Sequence, residues 1–178
     1  MLTPMSDAHT IELTVPGLLQ FRDLAVRVIM ESCKLLGRSE SDPASDSNRR
    51  ANTPSEKFDF NDQFTVEFTS AFQEIFNNIP KHAYGGNGGG SIRFDIEISH
   101  DHLIVNITDT GKSFDISEVP LPDDLPISGM GLHIARTMLD ELDYEPGPPN
   151  RWRLVKYIRR AQSGHSDQAD TSAPDQAT

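Results

Sequence analysis

Apolar residues fall along this chain in two rhythms, a strict alternation and a spacing of three to four, and the switches between them mark out the elements. Residues 10–15 alternate, with Ile11, Leu13 and Val15 on one side, which predicts a short strand. Pro16 suits a helix start. Leu18, Phe21, Leu24, Ala25, Val28, Ile29, Leu35 and Leu36 then keep helical spacing up to Gly37, a residue type that ends helices. Residues 59–83 predict a second helix, capped by Asn61 or Asp62. Phe72, Ile75, Phe76 and Ile79 form its apolar stripe, and Ser70, Glu74, Asn77, Asn78 and Lys81 lie opposite. Residues 91–99 alternate Ile92, Phe94, Ile96 and Ile98 against Arg93, Asp95 and Glu97, a half-buried strand. Residues 103–109 answer it across a tight turn, so the two predict a hairpin. Residues 129–142 read as a helix with Leu132, Ala135, Met138, Leu139 and Leu142 inward. Residues 143–146 and 151–158 read as two last strands around a Gly-Pro-Pro-Asn turn. The order predicts an α+β fold: a two-layer sandwich whose mixed, mostly antiparallel sheet carries its helices on one face.

The intervals are of different material. Residues 38–57 hold Ser, Asp, Asn, Pro and mixed charge, with no apolar residue but alanine, and predict a flexible insertion inside one domain. The short unit before them has too little apolar surface to fold alone. The run GGNGGG at 85–90 lacks the Gly-Lys-Ser/Thr ending of a phosphate loop and opens no helix, so it reads as a connector. Residues 114–128, rich in Asp and Pro, read as a surface loop. The organisation expected is a flexible leader at 1–9, one domain at 10–160 and a disordered acidic tail at 161–178.

Composition narrows the function classes. A net charge of −11 argues against nucleic acid or an anionic membrane as partner. Cys33 is the only cysteine, so no internal disulfide forms, which fits a cytoplasmic protein. The N-terminus lacks a signal-peptide pattern, and no apolar run approaches the roughly 20 residues that span a bilayer. His82 and His133 have no further His or Cys at metal spacing, so a zinc site is not expected. Trp152 reads as packing.

Three stretches carry candidate chemistry. Glu74 and Asn78 are four apart on one helix face, where a carboxylate and an amide oxygen can accept a proton and hold a hard cation such as Mg²⁺. The same pair also fits a merely solvated face. Asp109 shares the parity of Leu103, Val105 and Ile107 and so continues the buried side of its strand. A carboxylate there needs donors. It suits either the exocyclic amine of adenine or the capping of its own turn. Gly129-Met130-Gly131 before a helix lets backbone N–H groups meet an anion, although two such glycines alone are weak evidence.

In this order the three pieces, ExxxN in EIFNNIPKHAY, DxGxSFD after a strand and GMGL at a helix start, resemble the three nucleotide boxes of the GHKL ATPase superfamily. Within it the chain resembles the bacterial anti-sigma-factor serine/threonine-protein kinases, strongly over 68–158 and more faintly over 10–37. The resemblance implies ATP and Mg²⁺ as cofactors. It implies Glu74 as general base toward a serine hydroxyl and Asn78 as the Mg²⁺ ligand. Asp109 would hold the adenine amine and Gly111 would let the base approach. Gly129 and Gly131 would meet the phosphates, with Leu132 of the same box counted in the nucleotide site, and 114–128 would form a short lid. The partners implied are a sigma factor and a STAS-type anti-sigma-factor antagonist phosphorylated on serine, with a homodimer common in the family.

The chain departs from the family pattern in three places. Pro80 stands inside the helix, where it removes a hydrogen bond to Phe76 and kinks or ends it after Glu74 and Asn78. Ser113 replaces a glycine, and 38–57 is longer than the family's link. The alternative these departures support is a regulator that binds nucleotide or partners in the same switching system and transfers nothing. A histidine-kinase fragment fits less well, because no phosphoacceptor helical hairpin precedes the domain.

Overall fold

The computed structural model describes residues 8–36, 62–86, 89–114 and 130–159. Strand β1 (His9–Pro16) leads through a 3₁₀ turn at Leu19–Phe21 into helix α1 (Arg22–Cys33). Helix α2 (Gln63–Asn78) is followed by a π-helical turn at Ile79–Ala83. Strands β2 (Ser91–Ile98) and β3 (His102–Asp109) form the hairpin. Helix α3 (Gly131–Met138) and strands β4 (Glu141–Glu145) and β5 (Asn150–Tyr157) complete the domain. Among the described residues no helix is long and apolar enough to cross a membrane.

The five strands lie in the order β1-β2-β3-β5-β4, and every pairing is antiparallel. The mixed sheet expected is corrected here. Strands β3 and β4 do run the same way, joined by a crossover through α3, but β5 inserts between them and removes the parallel neighbours.

Alternation sets the faces. Ile92, Phe94, Ile96 and Ile98 of β2 and Leu103, Val105 and Ile107 of β3 are buried, and Arg93, Asp95 and Glu97 point away. Against this apolar face α2 lays Phe68, Ala71, Phe72, Ile75 and Phe76, all fully buried. The rings of Phe72 and Phe76 meet Phe94 at 5.5 and 6.0 Å. Helix α2 is the central helix, flanked by α1 and α3. Burying each such side chain contributes about 1.5–3 kcal/mol. Ala25 and Ile29 of α1 and Leu132 and Ala135 of α3 close the core on either side.

Several boundaries differ from the sequence reading. Pro16 ends β1 rather than opening a helix. Asp62 is the cap of α2, accepting from the Thr65 N–H at 3.1 Å. Helix α3 stops at Met138, because Leu139 is extended and the Asp140 N–H goes to Val155 of β5. Leu142, expected on that helix, sits in β4. Pro80 has the effect expected of it: regular helix ends at Asn78, and the chain continues as a wider turn in which the Tyr84 N–H reaches the Ile79 carbonyl at 3.3 Å. The stop at Gly37, the insertion at 38–57, the loop at 114–128 apart from Phe114, the tail at 161–178 and residues 1–7 of the leader lie outside the described residues, and His9, expected in the leader, begins β1.

Candidate functional site

The C-terminal end of α2, the end of β3 and the start of β5 meet around one small cavity. Asn78, His82, Asp109, Lys112, Phe114, Tyr144, Asn150 and Trp152 line it. Its volume is about 10 Å³, room for about one water molecule. Asp109, 2% exposed, is the last residue of β3 and lies opposite Asn150 across the β3–β5 ladder. Its Oδ1 accepts the Gly111 N–H and the Asn150 Nδ2 amide, both at 2.9 Å. Among the described residues Oδ2 has no partner. One oxygen thus caps the turn, as one of the two readings of Asp109 expected, and the other has no such role.

Gly111 is required by a close approach of backbone. A Cβ there would lie 2.5 Å from the Ala83 Cβ and 2.7 Å from its carbonyl oxygen. The Lys112 N–H donates to that carbonyl at 2.9 Å. The turn after β3 is thus seated on the π-helical turn that Pro80 imposes. Tyr84 clamps the other side of that turn. Its ring packs between Gly17 and Gly90, where a Cβ on either would strike it. Its hydroxyl accepts the Thr110 N–H at 3.1 Å and donates to the Ser91 carbonyl at 2.9 Å.

Glu74 lies one helical turn before Asn78 on α2, at the α2–α3 contact. Its carboxylate tip packs against Gly131, so closely that a Cβ at 131 would collide with Oε2. Gly131 opens α3, and among the described residues no side chain caps that end. A helix start of this kind favours negative charge, and the Glu74 carboxylate lies beside it. No partner takes the Glu74 carboxylate or the Asn78 amide among the described residues. Asn78 fits a Mg²⁺ bound mainly through phosphates, since that ion is commonly held by one or two protein oxygens. No group of three or more His, Cys, Asp or Glu among the described residues is placed to hold a metal by itself. The neighbouring Asn77 buries its amide oxygen without a partner, which costs about 1–3 kcal/mol.

The structure thus brings Asn78 and Asp109 to one cavity, with Gly111 behind it, and Glu74 together with Gly131 beside it. Leu132 is buried in the core, and Gly129 lies outside the described residues. Sequence reasoning missed Asn150 and Tyr144, placed Phe114 only at the start of the lid, and gave Trp152 only packing. Phe114 stacks on Tyr144 at 4.5 Å and on Trp152 at 5.5 Å, closing the cavity with three aromatic rings. The signal available was parity: Asn150 is the polar residue that continues the inward Trp152 and Leu154 face, as Asp109 continues that of β3.

A family model described as the histidine kinase-like ATPase domain matches residues 43–156, the span that contains all these groups. The chain belongs to that family. Serine-protein kinase RsbW of Listeria innocua is 33% identical over 104 residues, which cover 52% of this chain and 65% of that protein. Serine-protein kinase RsbW of Oceanobacillus iheyensis is 26% identical over 107 residues, covering 54% and 68%. The matched segment thus spans about two thirds of these relatives. The resemblance drawn from the motifs is borne out by them. A histidine kinase domain from the blue-light activated kinase of Erythrobacter litoralis EL346 aligns over 53% of this chain and 44% of that one, with 17% identity and a TM-score of 0.42.

Proposed function

We propose that the protein is an ATP- and Mg²⁺-dependent serine protein kinase of the anti-sigma-factor type, acting on a STAS-type antagonist and sequestering a sigma factor. The observation that carries this reading is the juxtaposition at the end of α2. Asn78 shares a cavity with the half-free carboxylate of Asp109, and Glu74 lies against the start of α3. Asp109 Oδ2 would accept from the adenine amine. Asn78 would ligate the metal on the phosphates, and the N-terminus of α3 would face their charge. Mg²⁺-ATP, when bound, would supply the γ-phosphoryl group, with ADP as the leaving group, and the metal would offset the charge on the phosphates. The chain's own step is at Glu74, whose free carboxylate would take the proton from the substrate serine as its oxygen attacks. A positioned base of this kind contributes roughly 10²–10⁴-fold.

The test is phosphoserine formation on a STAS-domain antagonist from the same source, with radiolabelled ATP and Mg²⁺. Wild type should label the antagonist. Glu74→Gln should lower the rate by about 10²-fold or more while leaving nucleotide affinity within a few-fold. Capture of the antagonist with no transfer by wild type would favour the non-catalytic regulator, and an unchanged rate in Glu74→Gln would remove Glu74 as the base.

A further inference from the structure

The side chain with the most partners at the cavity is Asn150. It is 1% exposed at the first position of β5. Its Nδ2 donates to Asp109 Oδ1 at 2.9 Å and to the Gly111 carbonyl at 3.1 Å. Its Oδ1 accepts from the Ser113 hydroxyl at 2.6 Å, the Gly147 N–H at 3.1 Å and the Tyr144 hydroxyl at 3.4 Å. The orientation of the amide is fixed by chemistry: a backbone N–H can only donate, and a backbone carbonyl can only accept. One carboxamide thus ties together the end of β3, the turn after it, β4 and the β4–β5 turn. Neither an apolar residue nor a carboxylate has both the donors and the acceptor this needs.

The bond to Asp109 has a consequence for recognition. With the Gly111 N–H it occupies Oδ1 and leaves Oδ2 as the acceptor available to a ligand. Ser113, the residue that replaces the family's glycine, serves the same device. Its hydroxyl makes the shortest contact to the carboxamide and ties the turn after β3 to β5 and to the Gly147 carbonyl. The Phe114 N–H donates to the Tyr144 hydroxyl at 3.2 Å, extending the tie to the stacked rings.

We infer that Asn150, held by Ser113, is the positioning residue that makes Asp109 a one-oxygen acceptor and so sets a preference for 6-amino over 6-keto purine nucleotides. The inference rests on the nucleotide reading above. It gives the departure at Ser113 a function within the nucleotide site, where the sequence pattern set it on the side of a regulator that transfers nothing.

The test compares Mg²⁺-ADP and Mg²⁺-IDP binding to the full chain by calorimetry at pH 6 and pH 8, in wild type and Asn150→Asp. Wild type should prefer ADP by at least about tenfold, because a site built to pair with a polar group rejects the analogue lacking it. Asn150→Asp sets a second carboxylate against Asp109, and two carboxylates that close share a proton. The ADP preference should shrink to within about threefold at pH 8, where the shared proton is lost, and recover in part at pH 6. His82, Lys112 and Tyr144 line the same cavity in both proteins, so the difference between the two pH profiles isolates the new carboxylate. A structural role alone would lower stability without moving that profile.

If wild type binds neither nucleotide, the nucleotide reading falls and this inference with it; if it binds both alike, the nucleotide reading stands and this inference is overturned. If wild type discriminates and Asn150→Asp keeps the same ratio at both pH values, the role of Asn150 alone is overturned. Should Asn150→Asp fail to fold by circular dichroism, Ser113→Ala decides. It removes the shortest contact to the carboxamide and should lower the ADP/IDP ratio by about threefold to tenfold, the worth of one hydrogen bond. An unchanged ratio there overturns the role equally.

Discussion

Two glycines at this site are glycine for different reasons, and the difference is measurable. At Gly111 the space for a Cβ is taken by the Cβ and carbonyl of Ala83, which cannot move without disturbing the π-helical turn. Gly111→Ala should therefore destabilise the fold by about 1–3 kcal/mol, the usual cost of overpacking. At Gly131 the space is taken by the tip of the Glu74 side chain, which can swing away. Gly131→Ala should keep its thermal midpoint within a few degrees, helped by the better helix propensity of alanine, and should lower the rate of phosphoryl transfer because it displaces the proposed base. Melting curves of the two variants beside a single-turnover assay check both statements. The reverse pattern would mean that the contact with Glu74, rather than that with Ala83, is the rigid one. The Asp109 carboxylate shows the same division at the scale of atoms, with one oxygen used by the fold and one left over.

Element by element, what could be read in advance was what local periodicity carries. Strands β2 and β3 declare themselves by alternation, and Asp109 by being the wrong residue in that alternation. Helix α2 and its Glu74–Asn78 face follow from the apolar stripe. The end of α3 was misread because Leu139 and Leu142 also fit a helical spacing. The ladder with β5 overrode it, and a pairing partner is not visible from the local pattern. For the same reason Asn150 escaped notice, since it reaches Asp109 across 41 residues and Ser113 across 37. Pro80 was legible as a break but not as a seat for the turn after β3, which only the contact of Gly111 with Ala83 shows. Tyr84 ties that turn to β1, β2 and the end of β3. Tyr84→Phe keeps the ring and leaves the Thr110 N–H and the Ser91 carbonyl without their shared hydroxyl. It should lose about 1–3 kcal/mol by denaturant titration with an unchanged m-value. A loss too small to measure would mean that water replaces the hydroxyl.

At the scale of the molecule the proposed nucleotide site sits at one end of α2 and a half-buried ion pair at the other. Lys156, 7% exposed, donates from Nζ to Glu67 at 2.6 Å and to the Met138 carbonyl at 2.7 Å. The hydrogen bond from Lys156, with a second from Gln63, holds the Glu67 carboxyl below its ordinary range. Asp140 is also lowered: burial pushes it up, but the Tyr157 N–H and Arg159 more than offset that. A depressed carboxylate stabilises the fold above its unfolded pKa, and that contribution is lost as pH falls through the lower folded value. Stability should therefore be level from pH 7 to about 5 and fall below about pH 4, near the unfolded carboxylate values. Glu67→Gln should flatten part of that fall. It should also cost about 1–3 kcal/mol at pH 7, less than a fully buried pair, because Glu67 is partly exposed and Lys156 keeps the Met138 carbonyl. Thermal melts across the pH range measure both effects, and a fall equally steep in Glu67→Gln would assign acid sensitivity to other groups.

The measurement that bears most directly on the proposed function is calorimetric titration of Mg²⁺-ADP into the folded wild type and into Asp109→Asn. ADP allows binding to be read without turnover. An amide at 109 keeps the shape of the cavity but replaces a charged acceptor with a weaker one that also presents donors. Wild type should bind, and Asp109→Asn should bind at least about tenfold more weakly, the loss of one charge-assisted hydrogen bond. Equal affinity in the two, or no binding to a wild type shown to be folded, would contradict the nucleotide site at the end of β3 and with it the kinase reading.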